Sequence, residues 1–171
     1  MRNHIKEILF ALSDGEVEYV VAGGVAAVLH GVERVTMDID IAVNMDGGNI
    51  DRLTRVAEAL GMHPRVPVPL GALKDPESVR IMIEEKHALV FSLIHPHDPL
   101  RYLDLFLKPD LSYSVLSQDS VSVQVEGRVI QIVSAKRLLE IKRAIRPPRD
   151  KDIMDIRALE AILNHEKHES A

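Results

Sequence analysis

Apolar residues recur along this chain with two different spacings, which separate predicted helices from predicted strands. Spacings of three and four residues predict helices at residues 5–12, 49–60, 76–86, 135–145 and about 150–165. Short apolar and β-branched runs predict strands at residues 19–22, 37–43, 88–94, 102–107, 121–125 and 129–133. One or two helical turns are also expected at residues 25–30, directly after two glycines. Helices and strands interspersed in this way predict an α+β fold.

The spacing becomes purely helical from residue 134 onward. All predicted strands lie within residues 1–133, and Ser134 stands at the N-cap position of the first of two closing helices. We therefore expect a core over residues 1–133 and a C-terminal helical segment over residues 134–171 that packs on it. The last helix is expected to pack through the apolar residues Ile153, Ile156, Leu159, Ile162 and Leu163.

Composition narrows the classes of function. With 46% hydrophobic and 27% charged residues, the chain has the make-up of a folded globular protein. The apolar stretches are far shorter than the roughly 20 residues that span a bilayer, and the N-terminal residues carry no secretory signal. We therefore expect a cytoplasmic protein without a membrane partner. Because cysteine is absent, any metal must bind oxygen or imidazole, and the net charge of −5 argues against a broad surface for duplex nucleic acid.

Two acids in one predicted strand are the first candidates for chemistry. Residues two apart in a strand share a face, so Asp38 and Asp40 would lie side by side while Ile39 and Ile41 turn inward. Adjacent carboxylates repel each other unless a cation or solvent relieves them. Mg²⁺ suits them because it takes hard oxygen ligands and bridges carboxylates to phosphates. Asp104, a single acid within another apolar strand, is the expected third carboxylate.

Alternatives stay open for each of these acids. Asp38 and Asp40 would also suit a strand face at the edge of a sheet, where acidic side chains simply face water. Asp104 is assigned by its position in a predicted strand, and Asp98 or Asp110 could be mistaken for it.

A pair of glycines stands between a predicted strand and a predicted helix. Gly23 and Gly24 remove two Cβ atoms there, so backbone N–H groups and a helix N-terminus can approach a phosphate closely. A tight turn without any ligand is the alternative, and the glycines alone do not decide between the two.

The order and spacing of these residues resemble one superfamily. The Ala-Gly-Gly of residues 22–24, a gap of thirteen residues and the Asp-Ile-Asp-Ile of residues 38–41 match the signature of the DNA polymerase β-like nucleotidyltransferases. The Arg-Val-Thr of residues 34–36 resembles bacterial minimal nucleotidyltransferases and the nucleotidyltransferase toxins of abortive-infection toxin–antitoxin pairs. Residues 135–142 and 149–156 are similar to the helical tail of those groups.

The resemblance implies a mixed β-sheet flanked by helices, and an enzyme that transfers a nucleoside monophosphate from a triphosphate such as ATP to an acceptor, releasing pyrophosphate. Two Mg²⁺ or Mn²⁺ ions would serve as cofactors. The implied catalytic residues and metal ligands are Asp38, Asp40 and Asp104. The implied nucleotide-binding residues are Gly23, Gly24, Arg34, Thr36 and Lys142.

The acceptor and the class of function are left open by the sequence. A tRNA or other RNA end, a protein hydroxyl and a small molecule all suit the same transfer chemistry. The alternative to an enzyme is a non-catalytic module on the same fold, which would bind a nucleotide or an antitoxin-like protein partner. The presence of all three carboxylates favours the enzyme.

Overall fold

The computed structural model describes residues 3–169, which form a seven-stranded β-sheet with helices packed against it. In chain order the strands are β1 (Tyr19–Ala22), β2 (Ile39–Val43), β3 (His63–Pro64), β4 (Val90–His95), β5 (Asp98–Phe106), β6 (Ser120–Val125) and β7 (Arg128–Val133). In space they follow the order β3-β4-β5-β2-β1-β7-β6. The sheet is mixed, because β1 pairs with β7 and β2 with β5 in parallel, whereas the other pairs are antiparallel.

The helices are interspersed with the strands along the chain. They are α1 (Asn3–Asp14), α2 (Gly23–Leu29), α3 (Gly47–Ala59), α4 (Pro76–Glu84), α5 (Tyr113–Leu116), α6 (Ala135–Ala144) and α7 (Asp150–Glu169). Short 3-10 turns occur at Leu70–Lys74, Pro109–Leu111 and Ser117–Asp119. The predicted α+β fold with a mixed sheet is thus confirmed. Within residues 3–169, no helix is both long and apolar enough to cross a membrane.

Helices join the core through the residues that their spacing predicts. In α1, Ile5, Ile8 and Leu12 are fully buried, as expected for positions that share one face of a helix. The Ser134 side chain accepts a hydrogen bond from the backbone N–H of Arg137 at 3.1 Å, which satisfies an otherwise unpaired donor in the first turn of α6.

The C-terminal helices share the hydrophobic core of the sheet. Leu138 and Leu139 of α6 and Leu159 of α7 are buried in the same cluster as the strand residues, and α6 contacts both α7 and α2. The boundary at residues 133 and 134 stays a prediction.

The strand that carries the first acids is shorter than predicted. β2 begins at Ile39 rather than at residue 37, so Asp38 precedes the strand. The reason is the length of the neighbour: β1 ends at Ala22, opposite Asp40, because the chain turns into α2 at Gly23. The pairing with β5 also begins at Ile39, which leaves the backbone of Asp38 outside both strand ladders.

Candidate active site

Two acids from neighbouring parallel strands lie directly opposite each other. Asp40 of β2 and Asp104 of β5 are partners in the strand register, and neighbouring strands lie about 4.8 Å apart. The neighbouring residues Ile39 and Ile41 are fully buried, so Asp40 lies on the opposite face of β2. Asp98 lies at the far end of β5 and Asp110 lies beyond the strand, so neither is opposite Asp40.

Asp38 joins the two paired acids from the loop that leads into β2. Its side chain is exposed and lines a pocket of about 270 Å³ with Met37, Pro99, Tyr102 and Asp104. Burial raises the pKa of Asp40 and that of Asp104, and the negative charge of Asp38 raises both further. The structure therefore brings the three acids to one site, although Asp38 is outside the strand that was expected to hold it.

Asp40 is the most strongly perturbed of the three acids. Its pKa is raised to about 6, first by burial and then by the negative charges of Asp104 and Asp38. The positive charges of Lys142 and Lys151 oppose this shift without cancelling it. The carboxylate is therefore held in a place that disfavours its ionised form, and an additional cation would reverse that preference.

The three acids fit a hard divalent cation in donor type and in charge. They offer only oxygen, and their mutual repulsion is the kind that a bound cation relieves. Among the described side chains, no group of three or more acids, histidines or cysteines is placed so that it could hold a metal ion by itself. Mg²⁺ usually binds through one or two carboxylates and is completed by water and substrate phosphates. The acids therefore fit Mg²⁺ provided that other oxygen atoms complete its coordination.

The two glycines provide the space that the site residues occupy. Gly23 has φ +59°, and a Cβ atom there would lie 1.9 Å from Oδ2 of Asp40. A Cβ atom on Gly24 would lie 2.5 Å from Oγ1 of Thr36 and 3.1 Å from Nη2 of Arg34. The turn thus brings Thr36 and Arg34 together beside Asp40. At each glycine a side chain of the protein occupies the space that a Cβ atom would need.

A buried network of ion pairs connects this turn to the C-terminal helices. Nζ of Lys142 lies 2.8 Å from Oδ2 of Asp155 and 3.1 Å from Oδ1 of Asp152. Nη1 of Arg34 donates to Oδ2 of Asp155 at 2.5 Å, and Nε of Arg149 donates to Oδ2 of Asp152 at 2.6 Å. Lys142 is 4% exposed, so its ammonium group is occupied by two carboxylates and nearly hidden from solvent.

The buried acids of α7 were missed by the sequence analysis. Asp152 and Asp155 are buried, whereas Ile153, which was expected to face the core, is 37% exposed. The expected packing through Ile153 is therefore wrong. Burial opposes ionisation of Asp152, but hydrogen bonds from Arg149 and Lys142 outweigh it and hold the pKa of Asp152 at about 2. The cationic partners make this burial possible, and apolar spacing alone does not report them.

A larger pocket borders the site on the side of α7. It has a volume of about 660 Å³ and lies between residues 31–35 and α7. Its wall carries the positive charges of Arg34 and Lys151 and the negative charges of Glu33 and Asp155, and the exposed side chains of Val35 and Met154 contribute apolar surface. Because the charge of Lys151 acts on Asp40, this pocket and the acids belong to one region of the surface.

Substitution of Gly23 by alanine should destabilise the protein more than the same change at another glycine with positive φ. Gly127 has φ +83°, and nothing lies within 4 Å of the position that a Cβ atom would take there, so Gly127→Ala carries only the backbone cost of about 1–2 kcal/mol. Gly23→Ala should lose about 1–3 kcal/mol more, because the new methyl group collides with Asp40. Equal losses in urea unfolding would contradict the close approach.

Substitution of Asp40 by asparagine should stabilise the metal-free protein at alkaline pH. The folded pKa of Asp40, about 6, lies above its ordinary value of 3.8, so stability is lost as pH rises through 6. Asp40→Asn removes this loss and should raise the free energy of unfolding at pH 8 by about 1–3 kcal/mol. The gain should shrink as the pH is lowered to 4. The exposed Asp110→Asn variant is the control and should stay within about 0.5 kcal/mol of the parent protein at both pH values.

Structural comparison identifies the fold to which this site belongs. No protein-family model and no curated protein matches the sequence. The chain is similar to the lincosamide antibiotic adenylyltransferase LnuA in its lincomycin-bound crystal structure, with a TM-score of 0.64 and 19% identity over 95% of this chain and 98% of that chain. It is also similar to the antibiotic-resistance factor ANT(2'')-Ia. The solution structure gives a TM-score of 0.60 and 17% identity over 98% of this chain and 86% of that chain.

A crystal structure of ANT(2'')-Ia in complex with adenylyl-2''-tobramycin gives a TM-score of 0.59 and 18% identity over 97% of this chain and 91% of that chain. These similarities extend over nearly the whole chain, and the identities are low enough that they establish the architecture rather than a shared substrate. They confirm the fold that the resemblance implied: the chain has the nucleotidyltransferase-like fold of these structures.

Proposed function

We propose that this protein is a metal-dependent nucleotidyltransferase, which moves a nucleoside monophosphate from a nucleoside triphosphate to a hydroxyl group of a small molecule. The observation that carries the proposal is the direct pairing of Asp40 with Asp104, with Asp38 beside them. Paired acids with a raised pKa are a poor arrangement for stability and a good one for binding a cation. The fold supports the same conclusion.

Asp38, Asp40 and Asp104 would hold Mg²⁺ or Mn²⁺. When bound, such ions neutralise charge on the triphosphate and stabilise the attacking and leaving oxygens of the transfer. The protein itself contributes the closely spaced acids and a glycine turn that allows Asp40 to reach its position.

The triphosphate would bind in the larger pocket, where the exposed Lys151 offers a positive charge. Arg34 and Lys151 line the pocket of about 660 Å³, whose volume lies within the usual range of roughly 300–1,000 Å³ for small-molecule sites. Thr36 lies beside Gly24 at the same turn. Lys142 is buried against two carboxylates, so we assign it the role of supporting this region with its charge rather than contacting the phosphates.

The chemical step would be an in-line transfer. The acceptor hydroxyl oxygen forms a bond to the α-phosphorus, and the bond from that phosphorus to the bridging oxygen of the β-phosphate breaks. Pyrophosphate leaves, and the hydroxyl proton passes to the carboxylate of Asp104. Asp104 lines the pocket of about 270 Å³, so its carboxylate is placed to accept that proton.

A small acceptor suits the pocket beside Asp104. That pocket of about 270 Å³ is formed in part by Asp38 and Tyr102, and it opens next to the proposed base. With three Phe, three Tyr and no Trp, and a net charge of −5, the chain offers little stacking or basic surface to RNA. Structures of similar fold hold lincomycin or adenylyl-2''-tobramycin, which supports a small hydroxylated acceptor here.

Metal and triphosphate should bind cooperatively. The cation neutralises the triphosphate, and the triphosphate supplies oxygen ligands to the cation. Mg²⁺ together with one of the four common nucleoside triphosphates should therefore raise the melting temperature by more than the sum of the two separate shifts. Thermal unfolding with each component alone and with both together measures this. The Asp40→Asn variant should lose the cooperative part, and Asp110→Asn should retain it. Additive shifts with every triphosphate would contradict a shared site.

Substitution of Asp104 by asparagine should abolish transfer and leave the fold intact. The variant loses both the charge and the base, so we expect the rate to fall by a factor on the order of a hundred or more. Asp110→Asn, which alters an acid away from the site, should keep the parent rate. The measurement follows label from an α-³²P triphosphate into a panel of hydroxylated small molecules, with RNA and protein fractions assayed in parallel.

The same assay separates the proposal from a non-catalytic module. A module would bind the triphosphate and shift the melting temperature, yet it would transfer no label to any acceptor class. If label is found in RNA or protein and Asp104→Asn is inactive, the protein is a transferase, and the proposal of a small-molecule acceptor is wrong.

A further inference from the structure

Asp104 is the last member of a chain of hydrogen bonds that crosses three strands. Nη1 of Arg65 donates to the Tyr102 hydroxyl at 3.0 Å, and that hydroxyl donates to Oγ of Ser92 at 3.2 Å. The Ser92 hydroxyl then donates to Oδ1 of Asp104 at 2.5 Å. Arg65, directly after β3, is thus connected to Asp104 through two neutral side chains.

Strand register brings these side chains together. Ser92 of β4 lies opposite Asp104 of β5, and Tyr102 stands two residues before Asp104 on the same face. Arg65 is held near them because its backbone N–H donates to the carbonyl of Ser92 at 2.9 Å. The hydrogen-bond chain therefore draws on β4, β5 and the end of β3. Local sequence patterns do not predict that these segments meet.

The donors along the chain can point in only one direction. A guanidinium group donates and never accepts, so the Tyr102 oxygen must accept from Arg65. Tyr102 then has one proton to give, which goes to Ser92, and Ser92 gives its own proton to Asp104. The chain therefore always presents a donor to Oδ1 of Asp104. Among residues 3–169, no hydrogen bond to Oδ2 of Asp104 is formed.

We propose that Ser92, Tyr102 and Arg65 are positioning residues for Asp104, which fix its Oδ1 by a one-way hydrogen-bond chain so that Oδ2 is presented to the bound ion and the acceptor hydroxyl. The inference rests on the proposed function, in which Asp104 is the base. The location agrees with it, because Tyr102 and Asp104 both line the pocket of about 270 Å³ beside the acids. Oδ1 of Asp104 is thus used for orientation, and Oδ2 is directed towards the reacting groups.

The kinetics of variants in the hydrogen-bond chain give the first test. Ser92→Ala leaves Asp104 without its donor and should lower kcat by about ten- to a hundredfold, since hydrogen bonds to charged groups are the strong ones. Tyr102→Phe breaks a neutral link one step further away and should lower kcat by about two- to tenfold. KM for the triphosphate should stay within about twofold in both, because the nucleotide side of the site is unchanged.

Matched variants separate positioning from general damage. Ser92→Thr keeps the hydroxyl and should restore most of kcat. Ser122→Ala removes a cross-strand serine hydroxyl that accepts from Gln131 on the far edge of the sheet, and Tyr113→Phe removes a tyrosine hydroxyl outside the chain. Neither control should change kcat. A loss of kcat in the controls equal to that in Ser92→Ala, or no rescue by Ser92→Thr, would overturn the proposal.

A second measurement does not depend on activity. Urea unfolding of Tyr102→Phe, Asp104→Asn and the double variant should reveal non-additive stabilities, because the two residues interact through Ser92. In a Ser92→Ala background the same pair should become additive. Additivity in both backgrounds would disprove the chain, whatever the kinetics show. If the parent protein transfers no label while the coupling is present and depends on Ser92, the proposed function fails and the hydrogen-bond chain stands.

Discussion

The parallel pairing of β2 with β5 is the constraint on which the rest of the site depends. It sets Asp40 directly opposite Asp104, so two carboxylates share a partly buried place and the pKa of Asp40 rises to about 6. Such a pair costs stability until a cation joins it. The neighbouring features follow from this pairing. Gly23 lacks a side chain where the Asp40 carboxylate lies, and the positive charges of Lys142 and Lys151 reduce the repulsion.

The buried ion pairs couple the C-terminal helices to the same region. Asp155 contacts both Lys142 and Arg34, so a residue of α7 determines where Arg34 lies beside Gly24. Buried ion pairs add little net stability, but the loss of one partner costs about 3–5 kcal/mol because the other charge remains buried. α7 is therefore bound to the core by charge as well as by Leu159, and its place affects the proposed nucleotide side of the site.

Two pockets of different character lie near the acids. On the wall of the larger pocket Arg34 is paired with Asp155, and the exposed Lys151 offers a positive charge that suits an anionic triphosphate. Asp38, Asp104 and Tyr102 line the smaller one, which suits the hydroxyl that the proposed base would deprotonate. The hydrogen-bond chain through Ser92 reaches Asp104 from within the sheet, on strands that do not contribute to the larger pocket. Binding of the nucleotide and orientation of the base would thus depend on different parts of the fold.

The sequence by itself determined the α+β class, most of the helices and strands, and the grouping of the glycine pair with Asp38 and Asp40, because these depend on local spacing and on a motif of short range. It left Asp104 open against Asp98 and Asp110, and it missed the burial of Asp152 and Asp155 and the role of Ser92. Those features depend on which strands become neighbours, in which register, and on which cations meet a buried acid. Pairing between distant segments is chosen by packing of the whole chain, so only the tertiary structure decided them.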